Sequence, residues 1–257
     1  MSDFYWNDIL RLPEAAIAGD KRIPKTVISR QALLTKAEQK VLDRVSALTL
    51  FATVQRTTAR IPPTVNDKHD IQSVVFLRCE MARASAAYAD VAHLLHKCFP
   101  NPTVILFGGR GGCRISVAIT RRSLAEQGAM VVDEVQSTGS IDLEVEGFAP
   151  FRDAIAFERL PQDDLLSYLR GMAWAVRLSR AVPSLGFYPA CHERDREKLD
   201  ALIAERDEAA AKVADLKLRR RDRDLTLNES AKLRMELKGC EKELEKAVNG
   251  IKEICNG

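Results

Sequence analysis

The sequence lacks several features that would point directly to a class of protein. Its six cysteines are scattered without a Cys-x-x-Cys pair, which argues against a zinc ribbon and against a disulfide framework. No apolar run approaches the length of a membrane span. The opening residues MSDFYWND carry no basic segment followed by an apolar one, so we predict no secretory signal. We therefore expect reduced thiols and a cytoplasmic location.

Strong net charge is also missing. The excess of 39 Lys and Arg over 36 Asp and Glu gives a net charge of +3, which is too small to imply nucleic-acid binding. A hydrophobic content of 46% with 29% charged residues is typical of an ordinary globular protein. A chain of 257 residues is long enough for one substantial core, or for a core and an appendage.

The last quarter of the chain, from Glu193 to Gly257, contains no proline and no aromatic residue. Its mixture of Glu, Lys, Arg, Ala and Leu is typical of a long helix or a coiled coil. Apolar residues spaced alternately by four and three form a heptad seam. These residues are Leu233, Leu237, Cys240, Leu244, Ala247, Ile251 and Ile254. A looser apolar seam lies upstream and is interrupted by Arg206.

The sequence Thr226-x-x-Glu229 matches a capping box, so a second helix is predicted to begin there. Two helices of similar length separated by a break fold back most simply as an antiparallel hairpin. The alternative is a single long helix that dimerises, which a capped break disfavours. We predict a coiled-coil helical hairpin over residues 190–257.

Residues 1–189 mix helix and strand patterns. Thr35-x-x-Glu38 matches another capping box and opens a helix. The predicted buried stripe of that helix is Val41, Leu42, Val45 and Leu48. Strands are predicted at 49–58, 71–79 and 130–135, and further helices at 84–98 and 165–181. We predict an α+β domain, with a mixed or antiparallel sheet whose flanking helices lie on one side.

A glycine-rich segment, VILFGGRGGCRISVAIT, occupies residues 104–120. A phosphate-binding loop leads into a helix, and the nucleoside-triphosphate version ends in Gly-Lys-Ser/Thr. Here Ile115, Val117 and Ile119 alternate with small or polar residues, which is the period of a strand. The segment therefore predicts a β-hairpin with Arg110 at its tip.

Candidate nuclease residues are sparse. A restriction-type nuclease needs an acidic residue and then Glu-x-Lys on adjacent strands, to bind Mg²⁺ and activate water. Asp70 followed by Glu80-Met-Ala82 lacks the lysine, and the segment beginning Asp133-Glu134 fails in the same way. An active site assembled from dispersed acids stays open as an alternative.

Two histidines, His93 and His96, lie one helical turn apart, with Asp90 one turn earlier. Residues three apart share a helix face and could bind one metal ion. Because no second ligand cluster accompanies them, we predict a solvated helix face instead. We predict no catalytic residue, no cofactor and no metal.

A basic cluster at residues 219–223 lies between the two predicted hairpin helices. From Glu193 onward the chain has 16 Lys and Arg and 16 Asp and Glu, so its net charge is 16 − 16 = 0. The cluster is therefore a local concentration of positive charge and not part of a basic domain. Guanidinium groups bind phosphates and carboxylates alike. DNA, an acidic partner surface and a solvated turn are therefore the alternatives. The candidate contact residues are Arg219, Arg220, Arg221, Arg223 and Arg110.

Several segments, in their order, resemble a known family. Leu12-Pro13 is followed by KRIPK at 21–25, by Phe-Pro and Leu-Phe within 99–107, and by LNESAKLRMELK at 227–238. Together these resemble the bacterial family called domain of unknown function 4391, over nearly the whole chain. The resemblance implies genes for a helicase and a DNA methyltransferase nearby, in restriction-like, anti-phage loci. The chain departs from the family pattern at 62–67 and 137–143, and functions tied to those segments do not carry over.

We therefore expect a non-catalytic accessory or adaptor subunit of a bacterial restriction-like or anti-phage defence system. The α+β domain and the coiled-coil hairpin would bind the helicase or methyltransferase encoded nearby, with DNA as a further contact. The alternative is a divergent metal-dependent nuclease or DNA-binding enzyme.

Overall fold

The structure is a computed structural model that describes residues 6–83, 87–108, 112–125, 128–220 and 226–256. The side chains of Gln31, Glu193, Leu227 and Asn256 are outside that description. The chain divides into two compact units, residues 1–180 and 181–257. The composition changes later, near Pro189, so residues 181–189 lie in the second unit. None of the described helices is both long and apolar enough to cross a membrane.

The first unit contains eight strands among its described residues. They are β1 (Ile17–Arg22), β2 (Val45–Gln55), β3 (Thr64–Val65), β4 (Asp70–Ile71), β5 (Ser73–Met81), β6 (Thr103–Phe107), β7 (Arg114–Arg122) and β8 (Met130–Ser137). Its α-helices are α1 (Trp6–Leu10), α2 (Lys25–Gln31), α3 (Lys36–Leu42), α4 (Arg56–Ala59), α5 (Tyr88–Cys98), α6 (Ala149–Ala154) and α7 (Leu165–Ser179).

Six strands form one sheet in the order β1-β2-β5-β6-β7-β8, and β3 pairs with β4 separately. All neighbours in the large sheet run antiparallel except β5 and β6. These two strands are parallel because α5 connects them as a crossover, which a parallel pair requires. The predicted α+β fold with a mixed sheet is confirmed.

Helices cover both faces of the sheet. Strand β6 is buried at all five positions, which is the pattern of a strand covered on two sides. On one face, Leu77, Ile105 and Phe107 pack with residues of α2, α3 and α5. Helix α7 lies against β7 and β8 and buries ten of its residues, which accounts for the second face. The prediction of helices on one side is wrong, because the unbroken apolar run of β6 requires two covered faces.

The first capping box is confirmed, but the stripe predicted after it is split. Thr35 N donates to Glu38 Oε2 at 2.9 Å, and Glu38 N donates to Thr35 Oγ1 at 3.3 Å. Helix α3 nevertheless ends at Leu42, and Val45 opens strand β2. Val45 and Leu48 are both buried, but they belong to a strand. The segment from Val45 to Gln55 pairs with β5, and this pairing makes it a strand rather than a helix. The strand predicted at 49–58 therefore begins earlier, and its last residues form α4.

The glycine-rich segment joins two paired strands, as predicted. Val104 of β6 lies opposite Val117 of β7, and Phe107 lies opposite Arg114. A strand follows the glycines where a phosphate loop would have a helix. Residues 109–111, which include Arg110, lie outside the described part of the chain.

The second unit contains α8 (Val182–Leu185), α9 (Arg196–Arg219) and α10 (Leu227–Asn256). Helices α9 and α10 pack together, and they run in opposite directions. The ion pair between Lys217 and Glu241 (3.1 Å) is near one end, and the approach of Leu202 to Gly250 is near the other. Most residues of the predicted seam are buried, with Leu233, Leu237, Ala247 and Ile251 at 5% exposure or less.

The second capping box is confirmed as well. Thr226 N donates to Glu229 Oε2 at 2.9 Å, and Glu229 N donates to Thr226 Oγ1 at 3.3 Å. These bonds satisfy backbone donors at the start of α10 that have no partner within the helix. The hydrogen bond from Thr226 Oγ1 to Glu229 Oε2 (2.6 Å), together with the one from Thr226 N, holds the pKa of the Glu229 carboxyl below its usual value.

Gly112 provides a test of the turn between β6 and β7. Its φ is +106°, and an added Cβ would lie 2.7 Å from the carbonyl oxygen of Ile141. We expect Gly112→Ala to lower the free energy of unfolding by about 1–3 kcal/mol, since it adds both backbone strain and a clash with backbone. Thermal or denaturant unfolding measures this change.

Gly139→Ala is the matched control, because a Cβ at Gly139 meets no atom within 4 Å and its φ lies outside the left-handed range. Its stability should stay within about 0.5 kcal/mol of the parent protein. Equal stabilities of the two variants would contradict the left-handed conformation of Gly112 and its close approach to Ile141.

Candidate functional site

Of the five arginines singled out in the sequence, the structure describes two. Arg219 is the last residue of α9 and Arg220 follows it, and both are exposed. Arg110, Arg221 and Arg223 lie outside the described residues. Arg219 Nη1 is 3.8 Å from Asp215 Oδ2, one helical turn earlier. A pair so exposed contributes little to stability, and positive charge at a helix C-terminus is itself favourable.

Two of the acidic residues considered for a nuclease, Asp70 and Asp133, are paired with cations. Asp70 lies 3.2 Å from Arg122, and Asp133 lies 2.8 Å from both Lys68 and Arg121. The hydrogen bond from Lys68 is the largest of the causes that lower the pKa of Asp133. Within the described part of the chain, no group of three or more His, Cys, Asp or Glu side chains could hold a metal ion.

The prediction of a solvated face for the two histidines is wrong for His96. His93 is exposed, whereas His96 is 1% exposed. Helix α5 packs its apolar stripe against the sheet, and that stripe is wide enough to include position 96 beside Ala92 and Leu95. The two rings therefore lie in different environments, one in water and one in the core.

His96 occupies the centre of a buried polar chain. Its Nδ1 hydrogen-bonds Thr103 Oγ1 on β6, and its Nε2 lies 2.8 Å from Ser116 Oγ on β7. Ser116 Oγ in turn lies 2.7 Å from Ser137 Oγ on β8. Burial, with a smaller contribution from the charge of His93, lowers the pKa of His96 to about 3. The imidazole is therefore neutral at pH 7, with one nitrogen a donor and the other an acceptor.

A pocket of about 180 Å³ adjoins this chain. Ser116 and Ser137 line it, together with the first turn of α5 and the ends of β6 and β7 that flank the glycine-rich turn. Its apolar lining includes Ala92 and Phe107. A small concave site with an apolar lining and a few convergent polar groups is the usual form of a ligand-binding pocket. We take this pocket as the candidate functional site.

Arg114 supplies the charge of the pocket. Its guanidinium carbon lies 4.0 Å from the centroid of the Tyr88 ring, within the range of a cation–π contact. The Tyr88 ring meets Phe107 edge to face, with centroids 5.3 Å apart and an interplanar angle of 89°. Arg114 is half-buried, and no carboxylate of the described residues forms an ion pair with it. Three elements of the fold thus hold one cation in a fixed position.

Sequence reasoning missed this pocket. Its polar residues are far apart in the chain, and only the pairing of β6, β7 and β8 brings them together. One signal was present, because the alternation of β7 places Ser116 on the face opposite to Ile115 and Val117. A serine in the middle of a central strand is usually hydrogen-bonded to another buried polar group.

The buried imidazole predicts a pH dependence of stability. The folded pKa of His96 is about 3 against an ordinary value of 6.5, so below pH 6.5 the unfolded chain binds a proton that the folded chain does not. We expect the free energy of unfolding to fall as the pH is lowered from about 6.5, by about 2 kcal/mol at pH 5 from this residue. Denaturant unfolding at a series of pH values measures the slope.

His96→Gln should lose this part of the slope, since glutamine does not titrate. His93→Gln is the matched control on the same helix and should keep the full slope, because His93 is exposed. If the parent protein and both variants showed the same slope, His96 would be titrating normally and the buried chain would be wrong.

Comparison with known proteins gives one result. The family model described as Domain of unknown function (DUF4391) matches residues 10–244. No curated protein and no solved structure matches the chain. The matched range includes the whole sheet, the pocket residues and most of the helical hairpin. The family resemblance of the sequence is confirmed: the chain belongs to the family called domain of unknown function DUF4391.

Proposed function

We propose that the protein is a non-catalytic accessory subunit of a bacterial restriction-like or anti-phage defence system, active in the cytoplasm. In this proposal the hairpin of α9 and α10 binds a helicase or DNA methyltransferase. The observation that carries it is the exposure of Leu218 and Met235, two large apolar side chains of the hairpin that lie outside its mostly buried seam. Leu218 is 65% exposed and Met235 is 78% exposed.

The hairpin satisfies its own core. Val213 and Leu216 of α9 pack with Leu233 and Leu237 of α10, and all four are at most 7% exposed. At 1.5 Å per residue, α9 is about 36 Å long and α10 about 45 Å. The remaining surface is therefore long and mostly charged, and it does not need to be buried for the hairpin to fold.

The end of α9 combines apolar and cationic groups. Leu218 precedes Arg219 and Arg220 directly, and Met235 lies about two turns into α10. Methionine and arginine are enriched at protein interfaces, where arginine often contributes most to binding. Exposed apolar side chains have no complement on a DNA backbone, so the combination favours a protein partner over DNA.

The class of partner comes from the family resemblance alone. Its implied genomic setting, beside helicase and methyltransferase genes, makes those two proteins the first candidates. An accessory subunit needs no active site of its own, which agrees with the pairing of Asp70 and Asp133 with cations.

Co-purification with a helicase and a methyltransferase of the proposed defence system tests the proposal. Changing Arg219, Arg220, Arg221 and Arg223 together to alanine, or Leu218 and Met235 together to serine, should weaken capture roughly tenfold or more. The matched control changes four basic residues of α10 to alanine and should retain capture to within about threefold. Those residues are Lys238, Lys242, Lys246 and Lys252. An equal loss of partner capture in the control would show that the arginine variant acts only through its change in net charge.

DNA assays decide between the proposal and its alternatives. If the arginines bind DNA, the four-arginine variant should lose DNA affinity and show a shallower salt dependence, because fewer counterions are released. We expect neither change. Mg²⁺-dependent cleavage by the purified protein that disappeared in Glu80→Ala would overturn the accessory role in favour of a nuclease.

A further inference from the structure

We propose that the pocket beside α5 binds a small organic carboxylate, with Arg114 receiving the carboxylate and Phe107 and Ala92 contacting its apolar part. This site is independent of the hairpin, and nothing in the accessory role requires it. Three properties of the pocket support the inference: an immobilised cation, a polar chain able to present a donor, and a small apolar volume.

The cation is held ready for an anion. Among the described residues no carboxylate pairs with the Arg114 guanidinium, so its N–H groups can still bind an anion while the Tyr88 ring contacts it. A planar guanidinium binds a carboxylate through two parallel N–H···O bonds. Half-burial makes such a pair stronger than one in open water, and the contact with Tyr88 reduces the conformational entropy lost on binding.

The polar chain can direct a proton toward the pocket. In one tautomer, the Thr103 hydroxyl donates to His96 Nδ1, and His96 Nε2–H donates to Ser116 Oγ. The Ser116 hydroxyl then donates to Ser137 Oγ, which leaves the Ser137 proton free to donate to a ligand oxygen. With a ligand oxygen accepting from Ser137, every hydroxyl and both ring nitrogens are satisfied, and successive bonds in such a chain strengthen one another.

The other tautomer reverses these bonds and uses the Ser137 proton within the chain. An anion in the pocket therefore favours the Nε2–H tautomer, because only that tautomer offers it a donor. The neutral state of His96 at pH 7 permits both forms. The bonds of the chain also offset the cost of burying a polar imidazole in the core.

The size of the pocket limits the ligand. A volume of about 180 Å³ lies below the range of roughly 300–1,000 Å³ typical of pockets for drug-sized molecules, which favours a ligand smaller than a nucleotide. One guanidinium matches the single charge of a carboxylate. The apolar lining matches a short branched or aromatic substituent rather than a second charged group.

Calorimetric or NMR titration of the full chain with 3-methylbutanoate and benzoate tests the inference. We expect saturable binding of at least one of these acids, and binding at least about tenfold weaker for the matched neutral amides. Failure of both acids to bind saturably would overturn the proposal. Tighter binding of inorganic phosphate than of either acid would overturn the choice of a carboxylate.

Variants locate the site. Arg114→Gln should weaken binding roughly tenfold or more, and Ser137→Ala should weaken it several-fold. Arg122→Gln is the matched control, because Arg122 lies at the other end of β7, roughly 26 Å away at 3.3 Å per residue. Equal affinity in the Arg114 variant and in the control would place the ligand elsewhere.

Two further measurements guard against a folding artefact. Ala89 lines the pocket and is exposed, so Ala89→Leu should block the site without removing a hydrogen bond, and it should abolish binding. Nitrogen chemical shifts of His96 should move toward the Nε2–H tautomer when the acid binds to the parent protein. Nitrogen shifts of the Nδ1–H tautomer with the acid bound would refute the role given to the polar chain.

Discussion

Strand β6 has no side in contact with water, and the arrangement of the first unit depends on that burial. Its five residues require a covering layer on each face of the sheet, and the helices on either side provide it. The first of the five is Thr103, whose hydroxyl is buried in the same environment. A hydroxyl removed from water is stabilised by a hydrogen-bond partner, and the covering helix supplies His96 as that partner. The polar chain in the core thus begins with the burial of one strand.

Burial also decides the chemistry of that chain. An imidazole held among Thr103, Ser116 and apolar neighbours is far more stable neutral than charged, so it acts as a donor and an acceptor at once. That pair of properties links three adjacent strands through their side chains, in addition to their backbone ladder. The end of the chain, Ser137, is the member that borders the pocket and is only partly buried. A structural requirement of the core therefore produces a polar group at the pocket.

Local signals in the sequence predicted local structure well. Both capping boxes formed as predicted, because their two partners are three residues apart and need no other part of the chain. The seam of α10 was equally predictable, since a heptad period depends only on the helix itself. Strand β1 was missed, because four of its six residues are exposed and it shows no alternation to detect. The sequence alone therefore predicted the sheet type and the hairpin, but not the order of strands.

The candidate pocket was beyond sequence reasoning for a related reason. Arg114 contacts Tyr88, and Ser116 contacts Ser137, across separations of more than 20 residues along the chain. Whether such residues meet depends on the register of neighbouring strands, and a shift of one residue would turn Ser116 to the opposite face. Periodicity indicates which positions share a face, but it does not indicate which strand lies beside which.

The hairpin shows how an interrupted pattern is completed by tertiary contacts. Arg206 breaks the seam of α9, but its side chain is only 12% exposed, because it pairs with Asp207 at 2.7 Å and donates to Ser184 Oγ at 3.2 Å. Ser184 belongs to α8, so this contact explains why the segment before Pro189 lies with the hairpin despite its different composition. Leu202 of α9 packs closely against Gly250 of α10, since a Cβ added to Gly250 would lie 3.1 Å from the Leu202 side chain. Both irregular positions are therefore sites of close contact.

The two groups of arginine in this protein differ in what their surroundings do to the charge. Arg219 and Arg220 are exposed, and water and salt weaken the interactions of each guanidinium, so several must act together at a partner surface. Arg114 is single, but Tyr88 holds it in place in a half-buried pocket, where each hydrogen bond to an anion is stronger. A cluster of charge is conspicuous in a sequence, whereas an immobilised charge becomes visible only in the fold. For recognition of a small ligand the second arrangement is the more effective, because it combines charge with a fixed direction.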